Sequence, residues 1–174
     1  MRKGFIRSYK ILLYESPRFC LEMSATPEKT FLTMEVSRSL VNTRLLPHTH
    51  EFLSLHFPNV FNTECFNEQN LPFYIEAAAT EMGHLFEHIL IEHMRLIKVA
   101  EGEKYAEFNG ITSWNWEKDP VGVFHIELDA KIEDKKILFL GLKKTIILME
   151  QLFNNTTALN TGYFQHNLAY AFAN

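Results

Sequence analysis

From Phe73 to about Ala100 the chain runs without a proline, and three consecutive alanines lead into Met82, Leu85, Phe86, Ile89, Leu96 and Ile97. Apolar residues spaced three and four apart share one side of an α-helix, so this stretch is predicted to form one long amphipathic helix. A helix with a single apolar stripe has to bury it against another element, which fixes what the rest of the chain must supply. Residues 134–154 supply part of it. Leu138, Leu142, Ile146, Met149 and Leu152 recur on one side, and the lysine pairs 135–136 and 143–144 lie on another, which predicts a second amphipathic helix with a solvated lysine face.

Most of the remainder reads as strand. Residues 5–14 and 18–24 are rich in β-branched and aromatic types and flank Ser16-Pro17, predicting two strands around a turn. In the stretch from Phe31 to Val41, Leu32, Met34 and Val36 alternate with polar neighbours, as a strand with one buried face requires. Pro47-His48-Thr49-His50 is predicted to open a short helix to about Phe57, with Thr49 as cap and Phe52, Leu53 and Leu55 as its apolar side. Pro58 to Pro72 reads as loop. Tyr105 to Trp116 and Val121 to Asp129 read as a hairpin joined by Glu117-Lys118-Asp119-Pro120, with Trp114 and Trp116 packing on it. The stretch from Thr157 to Asn174 is expected to add a short helix over the core. The pattern predicts an α+β fold: a mixed or antiparallel sheet of about five strands, packed with the long helix and the second amphipathic helix.

With 174 residues, 47% of them hydrophobic, and no repeat or low-complexity linker, residues 1–174 are read as a single domain with one core. Seventeen basic against 21 acidic residues leave a formal charge of -4, which argues against a phosphate-binding surface and hence against nucleic acid. Ile11-Leu12-Leu13-Tyr14 is too short for a signal-peptide core, and the run from Ile137 to Met149 is broken by Lys143-Lys144. A cytoplasmic protein without a membrane association is expected. Cys20 and Cys65 form neither a disulfide framework nor a CxxC knuckle, so both are expected reduced, with at least one buried.

The long helix carries the one sharp motif. Gly83-His84-Leu85-Phe86-Glu87-His88 contains H-x-x-E-H, the inverse of the common zinc-protease signature. Residues four apart lie on one helix face, so His84 and His88 can converge on one ion. Glu87, on the flank, can take a proton from water that the ion has acidified. The chain's own usage of histidine and glutamate gives about 0.04 chance occurrences of this motif. A solvated face of Glu-His pairs remains the competing reading of these residues. On either reading, His84, Glu87 and His88 are placed on the exposed side of the helix.

The run Met82-Gly83-His84-Leu85-Phe86-Glu87-His88-Ile89-Leu90-Ile91-Glu92 resembles the "LGHxxEHVALELQ" block of the N-terminal domain of cyanophycin synthetases. Phe57-Pro58-Asn59-Val60-Phe61 followed by Cys65 is similar to the family's "LLPGLxEHxC" stretch, and Phe73 falls where its "GGF" phenylalanine stands. Pro120 to Leu128 is similar to its "PGVYNVVFEY" strand, so the resemblance covers about residues 46 to 130. It implies a domain that handles a branched aspartate-arginine polymer and in some members looks like a metallopeptidase that trims it. The chain shows no Gly-rich phosphate loop and no ATP-grasp or ligase half, so polymerisation is not expected. Leu71-Pro72 replaces the two glycines, and Thr63 replaces the histidine before the cysteine, so a different substrate groove is expected.

A catalytic zinc needs a third protein ligand, which inverse zincins take as a carboxylate from outside the motif helix. Glu127, matching the family strand, is the expected ligand. Glu92 lies two turns beyond His84, about 12 Å along the helix, too far to share the ion, and is expected instead to orient His88. His125, on the same strand face as Glu127, is expected to neighbour the site. Cys65 is expected to be a small buried hydrophobe, His48 and His50 solvent or cap contacts, and His56 and His93 packing at the core margin. The expected function is a zinc-dependent amide hydrolase of inverse-zincin type, with Glu87 as its base and a peptide or arginine-rich polymer as substrate. The competing class is a non-catalytic module that binds a polymer, peptide or protein, its H-x-x-E-H site structural or degenerate. The oligomeric state is left open, a homodimer among the options.

Overall fold

The computed structural model describes residues 10–66 and 71–155. Five strands, β1 (Ile11–Glu15), β2 (Phe19–Ala25), β3 (Thr30–Val36), β4 (Gly110–Ser113) and β5 (Val123–Leu128), form one antiparallel sheet in the order β1-β2-β3-β5-β4. Alternation decides which residues meet the core. Leu21 and Met23 lie opposite Met34 and Leu32, which lie opposite Phe124 and Ile126, and all six are buried. The intervening residues Glu22, Thr33, His125 and Glu127 face the other way.

Four helices accompany the sheet: α1 (Thr49–His56), α2 (Phe73–Glu76), α3 (Met82–Ala100) and α4 (Lys135–Asn155). α3 and α4 pack side by side with Gly141 at the contact, where an added Cβ would lie 2.8 Å from Met94. Their buried residues, among them Leu85, Phe86, Ile89 and Leu142, Ile146, Met149, form the core with the apolar sheet face. The lysine pairs of α4 are exposed, and Trp114 and Trp116 both pack edge-on against Phe124. The β4–β5 hairpin and the β1–β2 turn at Ser16-Pro17 form as their sequences predict. Residues 5–9 of the first expected strand and the stretch from 157 to 174 lie outside the described residues.

Four elements differ from expectation. The helix predicted over 73–100 is broken: α2 ends at Glu76, and Glu81, extended just ahead of α3, forms an isolated antiparallel bridge with Asn42. Met82 N donates to Val41 O at 2.9 Å, Thr43 N to Thr80 O at 2.8 Å, and Thr80 N to Thr43 Oγ1 at 2.9 Å. Both threonines are buried, so these bonds replace helical ones that the local sequence could have made. β3 ends at Val36 and β4 covers only four residues, shorter than the strands their alternation predicts. Thr49 is the first residue of α1 rather than its cap, and its hydroxyl donates to Leu46 O at 2.7 Å.

The β1–β2 hairpin is tied to the far end of α4 through Glu150, which is 4% exposed. Its carboxylate accepts from Tyr14 Oη at 2.9 Å, Ser16 Oγ at 2.7 Å and Arg18 Nη1 at 3.0 Å, so the buried charge is paired and hydrogen-bonded. Burial, with the Glu150 carboxylate beside it, raises the Tyr14 phenol well above its ordinary range.

Candidate metal centre

The break before α3 has a local consequence. Because Thr80 is pinned extended one turn ahead of His84, its hydroxyl lies 2.8 Å from His84 Nδ1. The Glu76 carboxylate at the end of α2 stands 3.6 Å from the same nitrogen. At that distance the carboxylate is beyond hydrogen-bond reach but favours a proton on Nδ1, while the Thr80 hydroxyl can donate to that nitrogen or accept from it. His88 is fixed by the same device from another segment. The 3-10 turn Pro58–Asn62 delivers Thr63, whose hydroxyl donates to Val60 O at 2.6 Å and therefore accepts from His88 Nδ1 at 2.7 Å. Phe73 stacks flat on His88, with centroids 3.7 Å apart, and fixes the ring plane.

The two Nε2 atoms converge to 3.1 Å, within hydrogen-bond distance: His88 presents its lone pair, and His84 either donates to it or, with its proton on Nδ1, presents a second lone pair. Cys65 Sγ lies 3.6 Å from His84 Nε2 and 3.1 Å from a Glu76 oxygen. Ligand atoms of Cys65, His84 and His88 all lie within 4.8 Å of one another, a cluster that could hold a metal ion. Nitrogens 3.1 Å apart and a sulfur 3.6 Å from one of them can reach one ion at metal–ligand distances of about 2.0–2.3 Å. Burial lowers the affinity of both imidazoles for a proton, and with His84 alongside it takes His88 to about 3, so neutral, ligating imidazoles prevail at neutral pH.

Glu87 lies on the same face of α3, 5% exposed, with Oε2 accepting from the Thr112 hydroxyl of β4. Burial raises its carboxyl from 4.5 to about 7, the Thr112 hydrogen bond offsetting part of the rise. Gly110 of β4 packs directly on this carboxyl: a Cβ there would stand 2.9 Å from its carbon. His84, Glu87 and His88 line a cleft of about 990 Å³ between α3, the segment 62–66 and residues 106–112.

His84, Glu87 and His88 are therefore brought together, but inside a cleft and largely buried, not on an exposed helix face as the helical wheel suggests. Segment 62–66 and β4 cover them. Three other expectations are corrected. Glu127 is no ligand: it sits on the sheet face opposite α3 and forms an ion pair with Lys29. His125 is on that outer face too, 3.0 Å from Asp119. Glu92 does not orient His88, since both its oxygens are taken by Arg95, at 2.6 and 2.7 Å, and Thr63 holds the imidazole instead. The residue that stands beside the two imidazoles as a possible third donor is Cys65, half-buried like Cys20 rather than fully buried. Its one signal in the sequence is its place in the resemblance, while Thr80, four residues before His84, stands one helical turn away and could have been suspected as the partner of Nδ1. His93 packs at the core margin, stacked on Phe57, and burial lowers it to about 4.

No helix among the described residues is long and apolar enough to cross a membrane. Comparison of the chain with protein families, with curated proteins and with solved structures finds no match.

Proposed function

We propose that this protein is a zinc-dependent hydrolase of peptide or isopeptide bonds. The observation that carries the reading is the convergence of the two Nε2 atoms, 3.1 Å apart, with a thiol sulfur beside them and a buried carboxyl in the same cleft. Burial keeps both imidazoles neutral, and with the His84 proton on Nδ1 both Nε2 lone pairs are available to one cation. Cys65, His84 and His88 would hold the zinc, and three protein donors leave the fourth position open, as in catalytic rather than structural sites. Bound there, zinc supplies Lewis-acid polarisation of a carbonyl oxygen and acidifies water.

Glu87 does the proton work. Its Oε2 is held by Thr112, so Oε1 accepts the proton from the attacking water and returns it to the leaving amine. A carboxyl that titrates near 7 is matched to both halves of that task. Burial in the cleft keeps competing water from the carboxyl and strengthens its interactions. An arginine-rich peptide or polymer as substrate rests on the sequence resemblance, and exposed Glu64 and Glu107 at the cleft wall suit a cationic chain.

One observation favours a non-catalytic reading. Glu76 lies 3.1 Å from Cys65 Sγ and could close the coordination as a fourth donor, leaving a structural ion beneath a binding groove. Metal analysis combined with Glu87→Gln separates the two. With about one zinc retained, the variant should lose 10²- to 10⁴-fold in cleavage of arginine-containing peptides, followed by mass spectrometry. Full activity in that variant refutes the mechanism. A wild-type protein that holds zinc and cleaves no peptide favours the structural ion.

A further inference from the structure

The sheet has two outer strands, and they are built differently. β1 carries a register shift between Leu12 and Tyr14, an irregularity that blunts an edge against further pairing. β4 pairs with β5 without a shift, and among the described residues no strand lies against its other side. That other side forms part of the wall of the cleft lined by Cys65, His84, Glu87 and His88.

The register tells which main-chain groups face the cleft. Asp129 N donates to Asn109 O at 3.0 Å, so residues 109 and 129 occupy a hydrogen-bonded position of the ladder. In an antiparallel pair such positions alternate, so Ile111 and Ser113 direct their N–H and C=O groups to β5. Gly110 and Thr112 direct theirs outward. Their side-chain positions point at α3: the Thr112 hydroxyl reaches Glu87, and the absent Cβ of Gly110 is what lets the strand lie against that carboxyl. Two N–H donors and two C=O acceptors, from residues about 7 Å apart along the strand, thus stand beside the carboxyl and the His84–His88 pair.

We propose that β4 is a backbone-reading edge: an extended peptide pairs with the outward main-chain groups of Gly110 and Thr112 and lies along the cleft past His84 and His88. This rests on the hydrolase reading for what happens next, but names the substrate class independently, as an unfolded or extended main chain recognised through its amides. A folded partner could offer such an amide row only at an exposed sheet edge of its own. Alternate amides of the peptide bond β4, and those between point away, as in strand addition generally.

The test uses the full chain, zinc-loaded and zinc-stripped, with acetyl-tetraalanine hydroxamate and acetyl-tetraalanine amide, whose methyl side chains contribute little. Each peptide amide is N-methylated in turn, and affinity is read by calorimetry. Methylation at alternate positions should weaken binding about tenfold, and at the positions between by less than about twofold. Binding should slow hydrogen exchange of the Gly110 and Thr112 amides by about tenfold or more, and leave Ile111 and Ser113 unchanged. Equal effects of methylation at every position overturn the proposal, as does unchanged exchange at Gly110 and Thr112 with either peptide. Protection of the two amides without peptide, in a protein that scatters light as a dimer, also overturns it, because a second copy then occupies the edge. If the alternation holds but zinc adds nothing to the hydroxamate's affinity, the edge stands and the hydrolase reading falls.

Discussion

Burial of the Glu87 carboxyl should be measurable as a pH-dependent loss of stability in metal-stripped protein. A carboxyl raised from 4.5 to about 7 binds its proton more tightly in the folded than in the unfolded chain. Its contribution is therefore present in full below about 4.5 and is lost as the pH rises through about 7. At 1.36 kcal/mol per pH unit, the rise corresponds to about 3 kcal/mol by about pH 8. At 5% exposure, little water is left to screen the site. Glu87→Gln keeps the shape, keeps an oxygen for the Thr112 hydroxyl to donate to, and cannot ionise. His84 and His88, whose cationic forms burial disfavours, add an opposite slope below 6.5, but both proteins carry it and it cancels in the difference. Urea unfolding in chelator should find wild type and variant within about 1 kcal/mol at about pH 5 and the variant about 3 kcal/mol more stable at about pH 8. Adding zinc should narrow the gap, since a nearby cation favours the carboxylate. Parallel stability profiles for the two proteins refute the burial argument, and with it the claim that this carboxyl is tuned.

Three further outcomes follow from the geometry. Thr63→Val removes the acceptor that holds the His88 proton on Nδ1 and should weaken zinc binding about 10- to 100-fold in a competition titration, with the fold intact by circular dichroism. Cys65→Ala and His84→Ala should each abolish stoichiometric zinc by elemental analysis, whereas Glu127→Gln should leave it unchanged because that side chain faces away. Gly83→Ala should destabilise by about 1–3 kcal/mol in thermal or urea unfolding, since its Cβ would fall 2.4 Å from the buried Phe124 ring.

The two histidines and Glu87 were legible because a helix converts spacing into direction: His88 stands four positions after His84, and no other geometry is needed to align them. The same logic misjudges their surroundings. A helical wheel has no knowledge of segment 62–66, so the polar face reads as solvated when it is roofed. Glu127 fails for a related reason. Period two says correctly that His125 and Glu127 share a face, but whether that is the α3 face depends on Phe124 and Ile126, whose burial against α3 sends the polar pair outward. Cys65 and Thr63 come from a stretch that reads as loop, and loops carry no period from which a direction could be taken. The break at Thr80 is invisible because its cause lies almost forty residues upstream, in the backbone of Val41 to Thr43.

The tie between the first hairpin and the last helix also orders events in time. Arg18 leads Glu150 by 132 residues, so at a synthesis rate of about 5–20 residues per second it is made roughly 7 to 26 s earlier. Through that interval β2 and β3 can pair, but Tyr14, Ser16 and Arg18 lack the carboxylate that gathers them. The first turn of the sheet is therefore finished by nearly the last turn of α4. A chain cut before Glu150 forfeits more than one helix: it leaves the opening hairpin without the anchor that joins it to the core.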